Sequence, residues 1–270
     1  MGEIVIPAKF NAHKNYKKMM FLNPYRDVGG GVSDADSFNI LWETSSADET
    51  IEIGVGSGYF DYTIDWGDGS PIESYNTQDN ISHIYPTAGL FTTKINGVFP
   101  HMGMAWQSSP NGRLQMREIQ QWGNIQWGSF HYFAWGCRYV TVTATDVPDL
   151  SNVLSFTYAF GNKLINLDIP NIGQWNFSNV ISIYDMFRYS SFNRSLGAID
   201  ISNISSFGTI PTLSNANYDD TLIGWASQTP QINRSVSFSN SQYTPGGAAE
   251  TARNTLINTY GWTIEDGGGI

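Results

Sequence analysis

Residues 62–70 read Tyr-Thr-Ile-Asp-Trp-Gly-Asp-Gly-Ser, and no other run constrains the fold as much. Tyr62, Ile64 and Trp66 alternate with Thr63 and Asp65, the period-2 pattern of a strand with one face buried. Gly67-Asp68-Gly69 then demands a tight turn, since glycine takes positive φ at no steric cost. A second turn and strand follow in His83-Ile84-Tyr85 and in the run Ala88-Gly89-Leu90-Phe91-Thr92-Thr93-Lys94-Ile95. Further strands are predicted at 38–42, at 51–53 with clean alternation, at 59–66 and at 90–98, with a loop around 76–80.

Trp66-Gly67-Asp68-Gly69, then His83-Ile84-Tyr85, then Gly89-Leu90-Phe91, resembles a PKD-type domain, an immunoglobulin-like β-sandwich. The resemblance covers 38–100. It implies a spacer that holds other modules out from a surface, with Asp68 a structural turn residue and His83 a packing and hydrogen-bonding one. Gly54, Gly56 and Gly58 do not read as a phosphate loop, because no helix pattern follows them.

After residue 111 the pattern becomes a repeat. Residues 134–142 align with 159–167 at an offset of 25. Ser151-Asn152-Val153 recurs as Ser178-Asn179-Val180, and Phe160 as Phe187, both at 27. Leu167-Asp168-Ile169-Pro170-Asn171 recurs as Ile199-Asp200-Ile201-Ser202-Asn203 at 32, and a fainter first copy runs from Leu114 through Ile119 and Trp122. The inward residues are read as Tyr139, Val142, Ala144; Leu164, Leu167, Ile169; and Leu196, Ile199, Ile201. This apolar-x-x-apolar-x-apolar spacing is that of a leucine-rich repeat, whose units bury their apolar faces only by stacking.

Ser-Asn-Val followed by Ala-Phe or Met-Phe, with the closing runs 220–225 and 252–262, resembles the BspA-like leucine-rich repeats of bacterial surface proteins. The resemblance covers 112–266 and departs at Arg117, which stands where an inward apolar residue belongs. Residues 246–259 predict an amphipathic closing helix with Ala249, Ala252 and Leu256 on one face, and Trp262 and Ile264 a final strand. The expected fold class is mainly β with short helices: a PKD-type β-sandwich followed by a short irregular leucine-rich-repeat solenoid. The expected domains are an N-terminal docking arm (1–37), the sandwich (38–100), and the repeat domain with its C-terminal cap (101–270).

The arm differs in charge. Residues 1–27 carry five basic and two acidic residues, a balance of +3, within a chain of net charge −10, so the remainder stands at −13. An acidic body repels phosphate backbones, which argues against nucleic acid as a partner. Phe21-Leu22-Asn23-Pro24-Tyr25-Arg26 before Gly29-Gly30-Gly31 resembles the opening of phage virion proteins. Lys14, Lys17, Lys18 and Arg26 are the residues expected to dock it. The start reads neither as a secretory signal nor as a myristoylation site, and no run has transmembrane length. A surface architecture of this kind is expected to leave the cell in a phage particle released by lysis.

No catalytic, metal or cofactor site is expected. The four histidines lack metal spacing, Cys137 is the one cysteine and reads as a buried small apolar residue, and no Gly-x-Ser-x-Gly elbow exists. Asp65 with Asp68 could bind calcium or act on sugars, but neither sits in a full calcium loop. In a leucine-rich unit the residues between inward positions point outward. Thr141, Thr143, Asn166, Asp168 and Asp200, with Ala198, are therefore the candidate binding face, and Asp168 and Asp200 are expected in one column.

The expectation is a non-enzymatic virion surface protein of a bacteriophage, decorating head or tail and attaching to the host. Its partners would be other virion proteins, met through the arm, and a host cell-surface glycan or protein. The alternatives are a bacterial cell-surface adhesin whose leader is missing and a polysaccharide-degrading tail enzyme.

Overall fold

The computed structural model describes residues 35–108 and 111–270. Lys14, Lys17, Lys18 and Arg26 lie outside the described residues. The chain is mainly β with a few short helices. Strands β1 (Phe38–Thr44), β3 (Asp61–Asp65), β4 (Glu73–Tyr75) and β6 (Gly89–Val98) pair antiparallel. Strands β2 (Glu49–Ile53) and β5 (Ile81–Tyr85) form a second, two-stranded sheet. Phe38, Ile40, Trp42, Tyr62 and Ile64 face inward at period 2, as their alternation requires.

β2 breaks the expected alternation, for Ile51, Glu52 and Ile53 are all buried. Glu52 tolerates this because its carboxylate accepts from Ser108 N (3.0 Å), Ser108 Oγ (2.8 Å) and Asn80 Nδ2 (2.9 Å). A buried charge without such donors would cost several kcal/mol or titrate away.

The Trp66 corner joins the two sheets. Gly67 (φ +79°) has no room for a side chain, since a Cβ would fall 2.3 Å from Thr92 O. Tyr85 Oη donates to Trp66 O (2.9 Å), and Trp66 Nε1 donates to Glu73 (3.0 Å). His83 stacks on Trp66 (4.9 Å between ring centroids) while its Nε2 lies 2.7 Å from Asp68 Oδ2. Asp68 Oδ1 also accepts from Ser70 N, closing the turn. Burial alone would raise the Asp68 carboxyl, but the hydrogen bonds from Ser70 and His83 outweigh it and take it to about 2.

No break falls at residue 100. After α1 (Asn111–Gln115), β7 (Met116–Gln121) pairs antiparallel with β1 and parallel with β8 (Thr141–Val142). One sheet of order β4-β3-β6-β1-β7-β8 thus crosses the expected boundary, and the described residues form one compact unit. Asp36 O accepts from Asn124 N and Ser37 O from Gln121 Nε2, so these two residues belong to the body rather than to the arm. Leu114, at the start of the fainter first copy, is exposed. Arg117 stays half-buried by pairing with Glu43 (2.6 Å) and lying over the Tyr139 ring (4.9 Å).

Beyond β8 the chain stacks in coils joined by parallel backbone hydrogen bonds. Asp149, Asn176 and Asp200 each accept from the serine N two residues on (Ser151, Ser178, Ser202). Asn179 and Asn203 then donate to Ser151 O and Ser178 O of the preceding coil. This accounts for the recurring Ser-Asn: an irregular coil leaves carbonyls that need donors. The buried positions of the first unit are Cys137, Val140 and Val142, matching Leu164, Leu167 and Ile169 at 27. The sequence register began two residues late, at Tyr139, which is only half-buried.

α2 (Asn215–Ala226) and α3 (Ala248–Asn258) close the end, α3 burying Ala249, Ala252 and Leu256 as its spacing predicts. β9 (Gly208–Thr209), β10 (Ser235–Ser237) and β11 (Thr263–Glu265) form a parallel sheet beside them. Arg253 clamps Asp266 (2.7 Å), and Asp266 also accepts from Tyr218 Oη (2.6 Å), tying α2, α3 and the chain end together. Among the described residues no helix is long and apolar enough to cross a membrane.

Candidate functional site

The residues expected to make a binding face do not share one surface column. Thr141 Oγ1 lies 3.4 Å from Asp168 O, so these two are neighbours on adjacent coils. Thr143 is exposed, with its hydroxyl 3.4 Å from Glu118, and Asn166 is exposed. Asp168 is held bidentate by Arg194 (2.7 Å to each oxygen), and this pairing holds its carboxyl below the usual range. Asp200 belongs elsewhere, in the turn column of Asp149 and Asn176. The offset of 32 therefore does not carry Asp168 to Asp200: Ser182 bridges Ser206 at 24, the offset that carries Asn176 to Asp200. Asp168 instead faces Arg194. Among the described residues no cluster of three or more His, Cys, Asp or Glu is placed to hold a metal ion.

A different face is continuous. Its coils begin at Ser129-Phe130, Ser155-Phe156, Ser182-Ile183 and Ser206-Phe207. Backbone N–H groups at 130, 132, 134 and 136 donate to carbonyls at 155, 157, 159 and 161. Those at 156, 158, 160 and 162 donate to 182, 184, 186 and 188, and those at 183 and 185 to 206 and 207. β9, β10 and β11 extend the ladder to the chain end. The Ser129, Ser155 and Ser182 hydroxyls each accept from the backbone N–H two residues on, fixing the entry of the first three coils.

The backbone turns left-handed three residues into the first three coils, at Tyr132 (φ 57°), Tyr158 (58°) and Asp185 (53°), and two residues into the fourth, at Gly208 (69°). Such φ values are rare for non-glycine residues, tyrosine included, and persist only where the surroundings impose them. Here the ladder bonds on both sides of the turn do so.

The first half of this face is aromatic. Tyr132 and Tyr158 stack (5.2 Å, 7° between planes), Trp106 approaches Tyr132 (6.0 Å), Trp135 packs on Tyr158 (5.1 Å), and Tyr184 meets Tyr158 edge-on (5.8 Å). All are at least partly exposed, Trp106 at 38% and Tyr184 at 40%. Burial, then the Asp185 carboxylate nearby, raises the Tyr158 phenol. The second half is hydroxyl-rich, with two shallow clefts of about 440 and 350 Å³ that share Thr209.

Sequence reasoning missed this face, although its signal was present: Ser129-Phe130-His131-Tyr132 recurs as Ser155-Phe156-Thr157-Tyr158. Residues 130 and 156 are buried while 131–132 and 157–158 are partly exposed, because the left-handed turn breaks strand alternation there. No protein-family model, no curated protein and no solved structure matches the chain.

Proposed function

We propose that the chain is a non-enzymatic surface protein of a bacteriophage virion, decorating head or tail and attaching to the host. In this reading residues 1–31 dock it on the particle. A PKD-type sandwich holds it out, and a BspA-like leucine-rich solenoid presents the binding face. The observation that carries the reading is the ladder from Phe130 to β11, which aligns partly exposed rings and hydroxyls on one side of a rigid stack. Preorganised side chains on hydrogen-bonded coils lose little entropy on binding, which suits a recognition surface. The shared sheet from β4 to β8 supports it further, since a spacer fused to its display module transmits no hinge motion at that joint.

The test is mass spectrometry and labelling of purified particles, with the full chain and with a variant lacking 1–31. The full chain should be present in fixed stoichiometry and accessible to antibody, and the shortened chain should fold but stay off the particle. A chain found on bacterial cells and absent from particles would make it an adhesin and overturn the reading.

A further inference from the structure

We propose that the groove across β9 is a binding site for a neutral glycan, which rests on the surface-recognition reading above and names its ligand class. The groove is the pair of clefts that both border Thr209. Its floor drops at Gly208, where the left-handed column that carries Tyr132 and Tyr158 upstream loses its side chain. The glycine is required, because a Cβ there would lie 2.5 Å from Asp185 N. Asp185, itself 1% exposed, fixes the floor by accepting from Thr209 N (2.7 Å).

One wall is aromatic. Tyr184 stands over the first cleft and Tyr189, 66% exposed, over the second. Arg188 lies over the Tyr189 ring (4.8 Å) and is itself held by Asp185 (2.7 Å) and by the Tyr189 hydroxyl (3.0 Å). The opposite wall is Ser235, Ser237 and Ser239, spaced by two along β10 and its extension. A ring on one side and a row of hydroxyls on the other match the two surfaces of a sugar, an apolar C–H face and a rim of donors and acceptors.

Charge selects among glycans. Arg188 is neutralised by Asp185, Arg234 shares the first cleft with Glu265, and the chain as a whole carries −10. Arg234 already donates to Ile232 O and Ser205 O. A polyanionic ligand would meet no uncommitted arginine here and an unfavourable overall field. A protein partner would want a desolvated apolar centre, and the groove instead offers hydroxyls.

The full chain is tested on an array of neutral hexose, deoxyhexose and N-acetylhexosamine oligosaccharides beside uronate and sialylated ones. It should retain neutral oligosaccharides, and the double variant Tyr184→Ala with Tyr189→Ala should bind at least about tenfold more weakly at an unchanged Tm. If that variant is destabilised, Ser237→Tyr, which fills the groove and leaves both rings, should give the same loss. Asp168→Lys, on the other column, should bind normally. No binding to any neutral oligosaccharide, binding to acidic ones alone, or binding insensitive to both groove variants overturns the proposal. Presence of the chain on particles with an empty array would overturn the ligand and leave the virion reading standing.

Discussion

Trp66 and Asp68 show how much a few side chains hold. Trp66 is fully buried, stacked by His83 and hydrogen-bonded through its indole. Trp66→Ala should cost about 3–5 kcal/mol in a denaturant titration, the range for truncating a buried large aromatic. Asp68 makes stability depend on pH. Its carboxyl falls from 3.8 to about 2 on folding, so the stabilisation is complete above pH 3.8 and fades as pH falls toward 2. The advantage of the wild type over Asp68→Asn should be about 2 kcal/mol at neutral pH and nearly nil at the acid end. A constant difference across that window would show that the turn does not depend on the carboxylate. Glu52 makes the complementary point: sequence alternation put it outward, and three donors supplied from distant loops let it stay inside.

At the scale of elements, the coils are held by backbone ladders and by short side-chain turns that repeat. Gly208 is the position where this is most easily tested. Its φ of +69° and the overlap a Cβ would make with Asp185 both oppose any side chain. Gly208→Ala should destabilise by about 1–3 kcal/mol, read as a lowered denaturant midpoint at unchanged m-value. A neutral effect would mean that the coil relaxes freely there. Strand alternation made β1 and β3 legible, and helical spacing made the buried face of α3 legible. The repeat was legible as a repeat but not in register. Its steps vary from 27 to 24 residues, and a gapless eye placed Asp168 opposite Asp200 when the hydrogen bonds put Arg194 there.

Over the whole molecule, an aromatic core ties the antiparallel strands to the stacked coils. Phe38 on β1 packs against Trp127 (5.0 Å) and Trp122 (5.8 Å), and Trp122 against Trp175 (5.2 Å) in a later coil. With the sheet continuous from β4 to β8, neither part can open without exposing this core. Calorimetry should show one cooperative transition for residues 32–270. Two separated transitions would mean that the parts fold independently.

From the sequence alone came the β character, the turn at Gly67-Asp68-Gly69, the closing helix and the fact of stacking, because each depends on local period and turn chemistry. Only the tertiary structure decided the joint between the antiparallel strands and the stacked coils, since β1 pairs with β7 across more than half a hundred residues of chain that no local pattern spans. It also decided which side chains share a face. Register between coils is set by backbone hydrogen bonds, and the left-handed turns at Tyr132 and Tyr158 re-aim side chains against the alternation rule. The exposed ring row and the groove at Gly208 are products of that register, and so the candidate site became visible only in three dimensions.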